Sequence, residues 1–204
     1  MKAGFFILWL VTGLAVTSSL MIGHVVALPA PTRGDVLPVG ELDLSTAGRD
    51  ESLETTTESP TLALHFLFGD CPCSRNVLDQ ILQRHPVDGI RERIVFVGKK
   101  DPRESTAKSQ GYETERVTPI ELRTRYGVES APLLVIVDAQ GTILHSGGYT
   151  SRKRGVDIQD ETIIRSLLEG KAEDQLPVLG CAVSKELQSA VDPLGLKYSP
   201  QASE

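Results

Sequence analysis

Little in this sequence is suited to stacking on nucleic-acid bases or tracking a phosphate backbone. Aromatic residues fill only 5% of its 204 positions, and 21 basic residues face 27 acidic ones for a formal net charge of −6. Base stacking needs aromatic platforms and phosphate binding needs a basic excess, so nucleic acid is set aside as a partner. The chain also lacks a Gly-x-Ser-x-Gly elbow, a phosphate-cradling glycine loop, a His-Glu-x-x-His pair and a dinucleotide fingerprint. Those absences remove the common hydrolase, nucleotide, zinc-protease and nicotinamide classes, and no motif calls for a cofactor. No repeat of 20 to 50 residues is visible. Cysteine is scarce: there are three, at 71, 73 and 181, an odd number that asks for an explanation in an oxidising compartment.

What the sequence does have is a long uncharged start. From Ala3 to Leu28, "AGFFILWLVTGLAVTSSLMIGHVVAL" carries no Asp, Glu, Lys or Arg. A bilayer core needs about 20 apolar residues and the apolar part of a cleavable signal about 7 to 15, so the length favours a transmembrane anchor over residues 1–28. "VVA" at 25–27 resembles a cleavage site, which keeps a removed signal peptide as the alternative. Under either reading the body is exported, to the extracytoplasmic side where disulfides persist. Residues 29–60 are rich in Pro, Gly, Ser, Thr and acids and read as a flexible tether. Within it, "VLPVGELDL" has the pattern of a short edge strand.

The body is α/β. "TLALHFLF" (61–68) is a strand bounded by Pro60 and Gly69, followed at once by a helix in which Val77, Leu78, Ile81 and Leu82 recur at helical spacing. Asp70 or Cys71 caps that helix and Pro72 suits its first turn. "RIVFVG" (93–98) is a second strand, parallel to the first. Residues 101–127 are polar, with one helix near Pro119–Tyr126 ended by Gly127. "LLVIVD", "DAQG" and "TILHSG" then form a hairpin opened by Pro132, and "DIQDETIIRSLLEG" is a helix.

This order, with cysteines at the first strand-to-helix junction and a proline opening the third strand, resembles the thioredoxin-like superfamily. Phe66 stands five residues before Cys71, "YGVESAP" matches the family's Tyr-Gly-Val-x-x-x-Pro, and "VDAQGTI" its Asp-x-x-Gly-x-Ile hairpin. The resemblance covers residues 61–170 and implies a three-layer α/β/α domain with a mixed sheet and a cis Pro132. Residues 171–204 are then a C-terminal extension with a short helix. An anchored, exported member is similar to the membrane-tethered thiol-disulfide oxidoreductases that serve cytochrome maturation, whose partners are protein thiols or disulfides. In the family's Cys-x-x-Cys motif Cys71 takes the first position and Ser74 the second, so the resolving sulfur is missing there. Cys73 is extra, and Asp70 stands where Trp is common.

From the residues themselves, a thiol at a helix N-terminus has its ionised form stabilised by unpaired amides, so Cys71 is expected to have a lowered pKa, with Asp70 opposing and Arg75 compensating. A bond between Cys71 and Cys73, two residues apart in a helical turn, would be strained and easily reduced. Cys181, in "LPVLGCAVSKELQ", is a resolving partner if the extension folds back over the site, and otherwise a small buried apolar side chain. The resemblance implies Cys71 as the nucleophile and Pro132 as the cis-proline that presents a substrate strand, and with Cys73 or Cys181 resolving the mixed disulfide the catalytic set is Cys71, Cys73, Pro132 and Cys181. The alternative is a non-enzymatic assembly factor that binds a partner, or copper through Cys71, Cys73 and His145. Copper chaperones of the same fold use Cys-x-x-x-Cys with a distal histidine, and the spacing here differs. His65 and His145 are each in a strand, where a lone histidine is more often a satisfied structural residue than a ligand.

Overall fold

The computed structural model describes residues 2–25, 27–37, 61–152 and 157–198. A helix, α1 (Lys2–Val25), opens the chain, and the next named element is β1 (Leu62–Phe68). From there the order is α2 (Pro72–Ile81), β2 (Arg91–Val97), α3 (Glu104–Ser109), β3 (Glu113–Val117), α4 (Pro119–Tyr126), β4 (Ser130–Ala131), β5 (Leu133–Val137), β6 (Ile143–Gly147), α5 (Asp160–Leu168), β7 (Cys181–Ala182) and α6 (Lys185–Val191). Five strands form one sheet in the order β3-β2-β1-β5-β6, and β4 pairs with β7 apart from it. β1, β2 and β3 run parallel, while β5 is antiparallel to β1 and β6 to β5. The sheet is mixed, as expected.

Strand periodicity builds the layers. Leu62, Leu64 and Phe66 of β1 enter one core with Leu122 and Tyr126 of α4, while Ala63 and Leu67 enter a second with Leu78 and Ile81 of α2 and Ile163 and Ile164 of α5. With both faces covered, β1 reads as a continuous apolar run, which is why its sequence showed no alternation. Each large side chain that is fully buried contributes roughly 1.5–3 kcal/mol relative to exposure. α4 is the best-capped helix: Thr118 and Glu121 form a reciprocal capping box and Gly127 closes it in the left-handed region at φ 64°.

Two elements were not foreseen in the polar stretch 101–127. α3 buries only Ala107, and β3 is an edge strand secured by cross-strand pairs, Glu113 to Arg91 at 2.6 Å and to Arg93 at 2.7 Å. Residues 29–37, expected to begin a tether that is flexible or lightly docked, lie against the domain together with Leu28: Leu28 bridges Val178, Val36 bridges Thr142, and Leu37 is buried in the core. The rest of the expected tether, 38–60, lies outside the described residues.

The anchor expectation needs correction. α1 is one 24-residue helix whose Phe5, Leu8, Trp9 and Leu14 are exposed. Among the described residues, however, no helix is long and apolar enough to cross a membrane.

Candidate functional site

β1 and β5 set the site by register. Phe66 pairs with Leu133, so Pro132, one residue earlier on an antiparallel strand, comes beside the carboxyl end of β1. Past that end a tight turn, closed by Cys71 N–H donating to the Phe68 carbonyl at 2.9 Å, delivers Cys71 to the N-cap of α2 with Pro72 behind it. The Ala131–Pro132 bond is cis, as the resemblance implied. Cys71 Sγ lies 3.8 Å from the Ala131 carbonyl oxygen, an acceptor for the thiol proton.

The third sulfur arrives from the C-terminal extension. β7 runs antiparallel to β4, with Ala131 opposite Cys181 and Ser130 opposite Ala182. Cys181 is thereby brought into hydrogen-bonding contact with Cys71, as is Cys73 from the first turn of α2. None of the three is in a disulfide; Cys71 is fully buried, while Cys73 and Cys181 are half-buried. The sequence left Cys181 open between a resolving thiol and a core residue. The fold brings it to the site.

The ionisation of Cys71 departs from expectation. Its thiol pKa is raised, first because its proton is held by Cys181, with burial adding to the effect. Hydrogen bonds from Cys73 and the Ser74 amide pull the other way and do not prevail. Cys181 carries the opposite shift: the hydrogen bond from Cys71 lowers it against the cost of burial, and the Lys197 ammonium and a hydrogen bond from Tyr198 help. The sulfur that favours ionisation is thus on the extension and not at the helix terminus. A local helix argument misses this because the strand that encloses Cys71 comes from 110 residues away in sequence. Lys197 and Tyr198 were not foreseen either; nothing in their local sequence marks them. The fourth motif position, Ser74, is buried with its hydroxyl lacking a partner among the described residues.

Neither histidine joins the sulfurs. His145 in β6 is buried with Nε2 unpartnered among the described residues, and burial, reinforced by Arg33, pushes its pKa down to about 4. Cys71, Cys73 and His145 do not form a ligand cluster; among the described residues the one such group is His65, Glu92 and Asp160. That group already holds a cation of its own. Arg84 donates to Glu92 at 2.8 and 2.9 Å and pairs with Asp160. His65 Nε2 donates to Glu92 at 2.9 Å, and its Nδ1 lies 2.9 Å from the Tyr149 hydroxyl. Burial pushes the Glu92 carboxyl up, but the hydrogen bonds from His65 and Arg84 outweigh it and hold the pKa at about 2. This is a closed ionic network with a structural role.

No family model and no curated protein matches the chain in sequence. Among solved structures it is similar to a hypothetical protein from Sinorhizobium meliloti 1021, at 19% identity and a TM-score of 0.46, over 77% of this chain and 94% of that one. An uncharacterized conserved protein from Geobacillus kaustophilus follows at 19% and 0.45, over 78% and 91%. A thioredoxin-like protein in its oxidized form follows at 16% and 0.41, over 71% and 96%. Likenesses of this degree carry no functional argument, which rests on the site itself.

Proposed function

We propose that the chain is a thioredoxin-like thiol-disulfide oxidoreductase working through Cys71 of the Cys-Pro-Cys motif and Cys181 of the C-terminal extension. The observation that carries this reading is the pairing of β7 with β4, which sets Cys181 opposite Ala131, whose carbonyl oxygen lies 3.8 Å from Cys71 Sγ and whose bond to Pro132 is cis. Cys181, half-buried and shifted toward its ionised form, meets an outside disulfide first, since the thiolate is the attacking species. Its sulfur displaces one client sulfur as a thiolate and forms a mixed disulfide. Cys71 then gives up its proton and attacks Cys181, releasing the second client sulfur. The chain ends with a Cys71–Cys181 disulfide, oxidised by two electrons, and the client is reduced to a dithiol. Run backwards, the same steps oxidise a client. Cys73 supports Cys71 by a hydrogen bond that eases its ionisation.

We place the domain on the extracytoplasmic, periplasmic side, a reading supported by the uncharged run from Ala3 to Leu28, which has the character of an export signal. Clients are proteins carrying accessible disulfides or thiols.

The test is trapping in the full chain. With Cys71→Ser, oxidised glutathione leaves an adduct on Cys181 that persists, whereas the wild-type chain clears it within the same time by forming Cys71–Cys181. Mass spectrometry reads both. A wild-type chain that neither acquires nor clears an adduct sinks the reading.

A further inference from the structure

Beyond β7 the sequence reads "SKELQSAVDPLGLKY", a helix cap, a helix and then a turn marked by Pro193 and Gly195. Each piece brings the chain back toward Cys181. The Ser184 hydroxyl accepts the Leu187 N–H at 3.1 Å and starts α6. The Gln188 side chain donates to the Ala182 and Val183 carbonyls at 3.1 and 3.3 Å, fastening the helix to the strand before it. From the other side Arg123 of α4 pairs with Glu186 at 3.0 Å.

At the end of α6, Asp192 turns the chain. One carboxylate oxygen accepts the Leu196 N–H at 3.0 Å, and the other accepts the Lys197 and Tyr198 N–H groups at 2.7 and 2.8 Å. Gly195, inside the turn, takes the left-handed conformation at φ 64°. Three donors on one carboxylate fix where Tyr198 stands. Its hydroxyl oxygen accepts the Ala182 N–H at 2.9 Å, on the residue next to Cys181. A phenol carries one proton, and with its oxygen occupied as an acceptor that proton is free to be donated. Cys181 receives a hydrogen bond from it. The Lys197 ammonium, 4.8 Å over the Tyr198 ring, supplies positive charge that Cys181 also feels.

We propose that Tyr198 is a catalytic residue for Cys181, its hydroxyl hydrogen-bonding the sulfur whenever that sulfur carries negative charge, and that Asp192 is the positioning residue that holds the hydroxyl there. In the forward direction the hydroxyl holds the Cys181 thiolate that attacks the client disulfide. In the reverse direction the bond between Cys181 and the client breaks, the client closes its own disulfide, and the electron pair stays on Cys181, where the same hydroxyl meets it. β7 remains in place throughout. The inference rests on the thiol exchange proposed above and adds to it the group that governs when Cys181 is charged.

The experiment is iodoacetamide labelling of the full chain across pH, with the Cys181 and Cys71 peptides read separately by mass spectrometry. Tyr198→Phe keeps the ring beneath Lys197 and removes the hydroxyl. Labelling of Cys181 at pH 7 is then expected to fall about threefold, the worth of one modest hydrogen bond, while the rate on the alkaline plateau equals that of the parent. A residue that only satisfied the Ala182 amide would lower the melting temperature and leave the profile where it was. Asp192→Asn sets an amide N–H₂ among backbone N–H groups, and is expected to move the Cys181 profile in the same direction with the hydroxyl still present. It carries the test if Tyr198→Phe does not fold, and unchanged labelling of the buried Cys71 shows that the domain is intact. An unmoved Cys181 profile in a folded variant overturns the inference. Labelling involves no disulfide, so the two readings separate. A shifted profile in a chain that exchanges no glutathione refutes the redox reading, and normal exchange with an unmoved profile refutes the role of Tyr198 alone.

Discussion

One strand, β1, leads to two buried polar clusters that differ in almost every physical respect. At its middle, His65 faces a network in which Glu92, Arg84, Asp160 and Tyr149 give one another partners and opposite charges. Beyond its end, Cys71 has the Cys73 and Cys181 sulfurs as hydrogen-bonding neighbours under a two-residue strand. Breaking a buried ion-pair network leaves a charge uncompensated, so it resists change, whereas a thiol's reactivity is set by how readily it ionises. Burial of polar groups alone does not distinguish scaffold from chemistry. Saturation does.

The comparison breaks most visibly at Glu92. Glu92→Ala strips Arg84, His65 and the Val87 amide, which donates to Glu92 at 2.5 Å, of a common acceptor. Removing one partner of a buried pair typically costs about 3–5 kcal/mol. Urea unfolding should show a loss of that size while the alkylation rate of Cys181 in the folded protein stays near wild type. A large change in thiol reactivity with little loss of stability would reverse the roles assigned to the two clusters.

His145 sharpens the contrast, being buried and lacking both a saturating partner and a reactive neighbour. Its pKa is lowered to about 4 from an ordinary value near 6.5. Keeping it neutral therefore stabilises the fold above pH 6.5, and this contribution is lost as pH falls from there toward 4, on the order of 3 kcal/mol at most. The melting temperature should drop over that window, and His145→Leu should flatten the drop. Glu92, also depressed, keeps its contribution above its ordinary carboxylate range and loses it only on approach to pH 2, so the two windows separate.

The smallest effect is expected at Lys197. Lys197→Met removes a charge that helps to hold Cys181 ionised, although the hydrogen bond from Cys71 acts more strongly. The alkylation profile of Cys181 against pH should move upward modestly with unfolding unchanged. A shift downward would contradict the electrostatics described here.

Much of the scaffold was legible because apolar runs and capping residues act locally. "TLALHFLF", the hairpin around "DAQG" and the helix from Asp160 needed no distant information. β3 was not, since "ETERV" carries its stability in pairs with β2 and presents only Val117 to the core. The site was half legible. Cys71 and Pro132 stand at a recognisable strand-to-helix junction and strand start, while the odd third cysteine, Cys181, left its place in the fold open. The distribution of protons among the sulfurs was not legible, because it depends on β7 crossing over Cys71 and on Lys197 and Tyr198 arriving from the far end of the chain.

The most direct test of the central claim is the disulfide map of the full-length protein after mild oxidation, read by proteolysis and mass spectrometry without reduction. The account predicts a Cys71–Cys181 bond with Cys73 left as a free thiol. A map dominated by Cys71–Cys73, or one with Cys71 unmodified and Cys181 overoxidised, would contradict it.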